Sequence, residues 1–310
     1  MSEYVSLKPS TMLNPTPVVL VSCAEKGRPE NRDLVTLAWA GTVNSDPPMV
    51  SVSVRKERYS HALIAGSGEF VVNLVDEKLA KATDFCGVRS GRDLDKAKAL
   101  GLELVKAEGM ETAPRVDGAP VSLSCRVRQV LELGSHDMFL GEVTAAWAGT
   151  VNSDPPMVSV SLRKERYSHG LIRESGEFVV NLVDEGMAKA TDFCGVRSGR
   201  DMDKAAAAGL TYLPAEGMET APRVDGAPVS LSCRVRQVLK LGSHDMFIGE
   251  VVGVAVRKDL LDESGALHLE KAGLVAYSHG LYHKLGEVIG FFGWSVARPE
   301  VLEKRMASYR

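Results

Sequence analysis

The sequence predicts a mainly β protein with short helices, arranged as an antiparallel barrel or sandwich. Short Val-rich segments such as residues 17–24 are bounded by tight Gly and Pro turns. Residues 49–55 alternate apolar and small polar side chains, which is the period of a half-buried strand. The dipeptide Pro47-Pro48 separates two such segments because proline cannot donate to a sheet ladder.

The elements follow in chain order, with each strand bounded by turn residues and each helix by a capping or breaking residue. Strands are predicted at 17–24, 34–43, 49–55, 70–75, 121–133 and 138–143, and helices at 60–64, 77–85 and 93–102. Ser60 is expected to cap the first helix, and residues 107–120 are expected to form a surface loop. After residue 251, strands are predicted at 252–257 and 266–270, and a closing helix from about Pro299.

The chain contains an internal duplication. Residues 36–143 (the first block) return as residues 144–251 (the second block), and 16 of the 108 aligned positions differ. Without one copy the chain would have 310 − 108 = 202 residues, the size of a single domain. We therefore expect two barrel-like units, 1–143 and 144–310, that exchange strands and pack as a pseudo-dimer within the chain or as a homodimer. The alternative is one complete barrel with a surplus block outside it.

Composition excludes several functional classes. The formal net charge is -3 and no long basic run occurs, so a nucleic-acid surface is not expected. No apolar run reaches membrane-spanning length, and the N-terminus lacks a signal-peptide pattern, so we expect a cytoplasmic protein without membrane association. The five cysteines show no C-x-x-C spacing, which predicts buried, reduced thiols and no metal site.

Six motifs occur in a fixed order in this sequence. They are Thr36-Leu37-Ala38-Trp39-Ala40-Gly41, Asp46-Pro47-Pro48-Met49, and the segments 54–60, 68–73, 90–96 and 136–143. Together they resemble the flavin reductase-like family, with its flavoredoxin branch as the best match. The resemblance implies an FMN-binding split β-barrel, usually a homodimer with the flavin near the subunit interface. The duplicated block departs from the family pattern.

The predicted strand at 34–43 suits a flavin ring, which needs a flat, partly apolar wall. Thr36, Ala38 and Trp39 can supply small side chains and a hydroxyl from one strand, and the resemblance adds Asn31. The alternative is that Trp39 is a core aromatic residue. The position that corresponds to Asn31 in the second copy is Phe139, so that copy lacks the asparagine.

The segment from Arg55 to His61 suits the phosphate of FMN. Guanidinium groups form charge-assisted, bidentate bonds to phosphate, and Ser60 lies at a predicted helix start, where free amides favour anions. A solvated charged turn is the alternative. Ser90, Arg92 and Lys96 form a second candidate anion loop, for which a helix cap at Asp93 is the alternative.

The complete set of candidate FMN contacts spans both copies. It comprises Asn31, Thr36, Ala38, Trp39, Ser53, Val54, Arg55, Arg58, Tyr59, Ser60, His61, Ser90, Arg92 and Lys96, and in the second copy Thr144, Ala146, Trp147, Ser161, Leu162, Arg163, Arg166, Tyr167, Ser168, His169, Ser198, Arg200 and Lys204. No catalytic dyad or triad and no metal-ligand cluster stands out.

Three functions are compatible with these residues. An NAD(P)H-dependent flavin reductase needs no protein nucleophile, because the cofactor carries the chemistry. A flavoredoxin-type carrier would shuttle electrons between redox protein partners. A duplication product that no longer binds flavin is the third. No dinucleotide-binding glycine motif is present, so the use of a pyridine nucleotide is implied by the resemblance alone.

Overall fold

The computed structural model describes residues 3–11, 13–143, 150–153, 156–278, 280–307 and 309. Contacts divide the chain into two compact units. The first-block unit consists of Thr16–Gly149 and Val288–Arg310, and the second-block unit of Met1–Pro15 and Thr150–Glu287. The two termini are therefore exchanged relative to the consecutive ranges 1–143 and 144–310. Each unit has its own large antiparallel sheet, which confirms the mainly β fold with two split-barrel units.

The strands and helices are short, as the turn spacing predicts. The strands are β1 (Tyr4–Leu7), β2 (Val19–Glu25), β3 (Arg28–Leu37), β4 (Ala40–Ser45), β5 (Pro48–Arg55), β6 (Glu69–Leu74), β7 (Leu104–Lys106), β8 (Pro114–Val116), β9 (Ser122–Glu132), β10 (His136–Glu142), β11 (Thr150–Ser153), β12 (Pro156–Arg163), β13 (Glu177–Asn181), β14 (Tyr212–Leu213), β15 (Arg223–Val224), β16 (Val229–Lys240), β17 (His244–Arg257), β18 (Val275–Ser278) and β19 (Leu281–Lys284). The helices are α1 (Tyr59–Ser67), α2 (Ala80–Val88), α3 (Lys96–Leu100), α4 (Tyr167–Ser175), α5 (Ala188–Val196), α6 (Lys204–Ala208) and α7 (Pro299–Ala307).

Sequence expectations for four segments are corrected. The segment 107–120 is not a surface loop throughout, because it contains β8 and buries Ala107, Met110 and Ala113 in a hydrophobic cluster. The strand at 34–43 is interrupted at Ala38 and Trp39, so that β3 and β4 are separate strands. Ser60 does not cap α1, because the helix already begins at Tyr59 and Arg58 is the cap residue, with extended backbone and no side-chain cap bond. The segment 266–270 is not a strand, because a 3-10 turn begins at Leu269.

In the first-block unit the sheet order is β3-β2-β6-β9-β10-β5-β4. Its core contains Val21, Val52, Phe70 and Phe139, all fully buried. Gly141 on β10 has a steric requirement, since a Cβ there would lie 2.6 Å from Cζ of Phe70. The close approach of backbone and aromatic ring therefore excludes any larger residue at this position.

In the second-block unit the sheet order is β11-β12-β17-β16-β13, and β1 also pairs with β17. The pairing runs from Tyr4↔Arg257 to Leu7↔Val254. Tyr4 accepts a hydrogen bond from the amide of Gly226 at 2.7 Å, and the guanidinium of Arg223 lies over its ring. The N-terminal strand is thus built into this sheet. Among the described residues, no helix is both long and apolar enough to span a bilayer.

Candidate functional site

A cavity of about 660 Å³ lies in the first-block unit, where β3 ends and the N-terminal half of α2 approaches it. It is lined by Val18, Thr36, Ala38, Arg58, Val75, Asp76, Glu77, Ala80, Thr83, Asp84, Gly87, Ile289, Gly290, Phe292 and Trp294. Three sequence-predicted site residues, Thr36, Ala38 and Arg58, therefore share one cavity.

The close approach of α2 to β3 forms one wall. The hydroxyl of Thr36 donates to the carbonyl of Thr83, and a Cβ on Gly87 would lie 3.4 Å from Cβ of Thr36. The Thr36 side chain thus positions the helix, and the small side chain of Ala38 narrows the cavity little. Backbone and small side chains therefore form this wall.

Arg58 supplies the positive charge of the cavity. Its side chain is half-buried, and Nη2 donates to the carbonyl of Gly87 at 2.9 Å. A guanidinium carries five N–H donors, so this bond leaves donors for an anion. The carboxylate of Asp84 accepts from the amides of Gly293 and Ser295 at 2.9 and 2.8 Å, which fixes the C-terminal segment beside the cavity.

Several predicted phosphate contacts form a hydrogen-bonded cluster that does not line the cavity. Tyr59 donates to Asn31 Oδ1 at 2.6 Å, and Asn31 Nδ2 donates to Glu25. The guanidinium of Arg92 lies 5.5 Å from the centre of the Tyr59 ring and donates to the carbonyl of Glu57. Ser90 accepts from the amide of Arg92 and closes a local turn.

Other predicted residues serve the fold. Lys96 forms a buried ion pair with Asp33 at 2.9 Å, both side chains being 2% exposed, so its charge is neutralised within the protein. The segment after Arg92 has Asp95 as its helix cap, not Asp93. Ser60 is fully buried, and its hydroxyl has no hydrogen-bond partner among the described atoms.

The remaining first-copy candidates lie on β5, on α1 and between β3 and β4. Val54 is a core residue, Ser53 is buried and Arg55 is exposed at the end of β5. His61 Nε2 lies 2.8 Å from Oδ2 of Asp137. Trp39 packs against His136 with ring centres 4.4 Å apart.

In the second-block unit, seven candidates line a cavity of about 790 Å³. They are Leu162, Arg163, Arg166, Tyr167, Ser168, Ser198 and Lys204. Arg200 donates to the carbonyl of Glu165 at 2.8 Å, and His169 lies 2.9 Å from Asp245. Ser161 is half-buried on β12. Burial and the nearby charge of Arg163 lower the pKa of His244. Thr144, Ala146 and Trp147 lie outside the described residues.

Sequence reasoning missed the contribution of the C-terminal segment to the first cavity. Ile289, Phe292 and Trp294 line it, as do Thr83 and Gly87 of α2. The available signal was the apolar and aromatic run at 289–294. It lies far from Thr36 along the chain, and nothing in the local pattern indicates that the two meet.

Comparison with known proteins identifies the family of this chain. The model of the flavin reductase like domain matches residues 11–150 and again residues 143–286. This chain belongs to the flavin reductase-like family. The suspected resemblance is thereby confirmed, with the domain present twice.

Relatives of this flavin reductase-like chain include an uncharacterized protein of Aeropyrum pernix, 34% identical over 44% of this chain. The chain spans 51% of the length of that relative. The crystal structure of flavoredoxin from Methanosarcina acetivorans is 34% identical, with a TM-score of 0.42 over 47% of this chain and 75% of the other. An FMN-binding protein from Thermus thermophilus is 23% identical, with a TM-score of 0.40 over 47% of this chain and 80% of the other.

Proposed function

We propose that the first-block unit binds FMN in the cavity lined by Thr36, Ala38 and Arg58, and that the protein is an NAD(P)H-dependent flavin reductase. The carrying observation is that these three residues, selected from sequence for a flavin wall and a phosphate, line the same cavity. Family membership adds support, since the duplicated domain is of the flavin reductase-like type.

The chemistry of the lining fits FMN. The cofactor combines an apolar ring that has polar edges with an anionic phosphate. Ala38, Val75, Ala80 and Trp294 provide apolar surface, and Arg58 provides spare guanidinium donors. A volume of about 660 Å³ lies within the ordinary range of cofactor sites.

Two of the three acidic side chains in the lining, Asp76 and Asp84, accept hydrogen bonds from backbone amides, and the third, Glu77, is exposed to solvent. Asp84 accepts from the C-terminal segment, and Asp76 accepts from the amides of Lys78 and Leu79 at 3.1 and 3.2 Å. These bonds offset part of their negative charge. The acidic side chains therefore do not preclude an anionic cofactor beside Arg58.

In this proposal the residues that line the cavity bind FMN and orient it. FMN would supply hydride-transfer chemistry here, and the lining residues would hold its ring in near-attack geometry with the nicotinamide of NAD(P)H. Thr36 fixes α2 against β3 through its bond to Thr83, which keeps the wall rigid. Phe292, with 78% of its surface exposed, and Trp294 add aromatic side chains to the cavity lining.

Arg58→Ala tests the site, and the same change at its counterpart, Arg166→Ala, is the matched control. Losing a charge-assisted phosphate contact costs about 1.5–3 kcal/mol, which is a roughly ten- to hundredfold rise in the Kd for FMN. FMN titration of the flavin-free protein measures it. We expect Arg58→Ala to weaken binding and Arg166→Ala to leave it unchanged. The reverse order would move the site to the second-block unit and refute this assignment.

The reaction is tested separately from binding. Flavin-loaded protein is mixed anaerobically with NADH or NADPH, and the flavin absorbance is followed. Rapid bleaching supports the reductase. If neither nucleotide bleaches the flavin but a reduced redox protein does, the electron-carrier function replaces it. A preparation that neither contains nor takes up flavin would contradict both.

A further inference from the structure

Within the part of the chain that the structure describes, the sheet of the second-block unit has an open edge at β13. β13 pairs with β16 and is the last strand of its sheet. Its counterpart β6 is an interior strand, because β2 pairs with its other side from Val19↔Leu74 to Ser22↔Val71. At the 108-residue offset, residues 19–37 correspond to 127–145, whose described part belongs to β9 and β10 of the first-block unit. The described residues thus give β13 no covering hairpin.

A groove follows this edge. One cavity of about 620 Å³ lies along β13, and the cavity of about 790 Å³ lies beside α4 and α5. Ser168, Leu171 and Tyr212 line both, so the two cavities are adjacent. Leu171 is 48% exposed, whereas its counterpart Leu63 is 6% exposed. The groove therefore presents apolar surface that the fold buries in the other copy.

In the first-block unit the β2–β3 hairpin fills the equivalent position. Asn73 Nδ2 donates to the carbonyl of Leu20 at 3.0 Å, which ties the side chain of β6 to the added strand. Asp33 on the return strand forms the buried ion pair with Lys96. A backbone-paired strand and one carboxylate are thus the features by which the hairpin is held.

The second-block unit keeps both complementary groups. Asn181 Oδ1 accepts from Val224 and Ser230 at 3.1 and 2.9 Å, and within the described residues its Nδ2 has no partner. Lys204 Nζ donates to the carbonyl of Cys194 at 2.9 Å. No described carboxylate lies within ion-pair distance of Lys204, unlike Lys96. An amide donor and an ammonium group therefore face the groove without the groups that satisfy them in the first copy.

We propose that this groove is a strand-acceptor site for a β-hairpin of another polypeptide. The occupant has an apolar first strand that adds antiparallel to β13, and a return strand whose carboxylate reaches Lys204. This is β-augmentation, in which backbone bonds give affinity and side-chain pockets give specificity. A second copy of this chain is a poor donor. Its β2–β3 hairpin already pairs with β6 of its own first-block unit, so moving the hairpin to another molecule would empty one acceptor site for each that it fills. The partner is therefore a different polypeptide, whose hairpin does not already pair with a sheet of its own chain.

A synthetic peptide of residues 16–39 is the probe. It is labelled with a fluorophore and titrated with the intact protein, and binding is followed by anisotropy. Hydrogen exchange then locates the site. We expect saturable one-to-one binding with slowed exchange over Glu177–Asn181. A peptide carrying Asp33→Asn should bind roughly tenfold more weakly, because Lys204 loses its carboxylate.

Two protein variants supply the controls. Leu171→Asp places a charge in the groove and should abolish binding. Val238→Asp alters a residue that is 40% exposed on β16, outside the lining of the two cavities, and should bind like the parent. Equal binding to Leu171→Asp and the parent, or no saturable binding to the parent, overturns the proposal. Concentration-dependent self-association that Leu171→Asp abolishes would also overturn it, in favour of a second copy as the occupant.

Discussion

The two blocks of this chain place nearly the same sequence in two different structural environments. Only 16 of 108 aligned positions differ, yet Ser60 is fully buried and Ser168 is exposed. Cys86 is buried and Cys194 is only half-buried. Ser168 corresponds to Ser60 and Cys194 to Cys86, so the residue type does not explain the difference in burial. The difference follows from the β2–β3 hairpin, which among the described residues covers the first block and has no equivalent on the second.

Interactions between two residues of the same block are present in both copies. His61 lies 2.8 Å from Asp137, and His169 lies 2.9 Å from Asp245. The interaction of Lys96 with Asp33 crosses from a block to the hairpin, and Lys204 has no described equivalent. Local contacts are therefore properties of the repeated sequence, whereas burial depends on what is added to it.

The largest expected difference between the blocks is in thiol reactivity. Burial raises the pKa of Cys86 to about 12, and the other first-copy thiol, Cys125, is also buried. Labelling a buried thiol requires an opening that costs several kcal/mol, so Cys194 should react at least on the order of a thousandfold faster than Cys86. Mass spectrometry after timed alkylation measures both rates.

The same experiment sharpens the strand-acceptor proposal. Addition of the 16–39 peptide should slow the labelling of Cys194, which lines the groove, and leave Cys86 unchanged. Cys194→Ser should remove the fast phase. Comparable rates at Cys86 and Cys194 would contradict the difference in cover between the two blocks.

The next largest difference concerns the paired lysines. Lys96→Met leaves Asp33 as an uncompensated buried charge and should destabilise the first-block unit by about 3–5 kcal/mol. The same change at Lys204 should cost less than about 1 kcal/mol, because only a bond to a carbonyl is lost. Denaturant unfolding, followed by hydrogen exchange within each unit, measures both changes.

A double variant tests whether the stability lost in Lys96→Met comes from the unpaired charge of Asp33 or from altered packing. Combining Lys96→Met with Asp33→Leu replaces the ion pair by apolar side chains and should recover most of the lost stability. If the double variant is no more stable than Lys96→Met alone, the loss arises from packing and the ion-pair account is wrong.

The strand pattern and the family were predictable from sequence because both depend on local order along the chain. β2, β5, β6, β9 and β10 lie close to their predicted ranges. The exchange of termini was not predictable in detail, since Met1–Pro15 and Val288–Arg310 join their units through contacts between distant segments. The same holds for the residues that line the first cavity. Thr36 and Arg58 were predictable because they lie in sequence motifs, whereas Trp294 reaches the cavity only through the fold.

The smallest expected effect concerns a carboxylate present in both blocks, and it tests the rule that local contacts are kept. Glu177 accepts from the amides of Glu219, Thr220 and Ala221 at 3.0, 2.9 and 3.2 Å, and Glu69 accepts from the matching amides. The amide of Glu219, with those that follow it, lowers the pKa of Glu177 from 4.5 to about 2. For Glu69, burial opposes the shift, and the amides still lower its pKa.

A carboxylate with a depressed folded-state pKa stabilises the fold above its unfolded pKa, and this contribution disappears as the pH falls through the folded value. Glu177 should therefore contribute on the order of 1–2 kcal/mol above pH 4.5, lost towards pH 2. Glu177→Gln and Glu69→Gln should each flatten the acid limb of the stability curve, measured by denaturant unfolding at several pH values. Glu263→Gln, at an exposed position, should leave the curve parallel to that of the parent. Because these bonds are closed within each block, the Glu69 and Glu177 variants should behave alike. A flattening confined to one of them would show that the hairpin also governs contacts that lie wholly within a block.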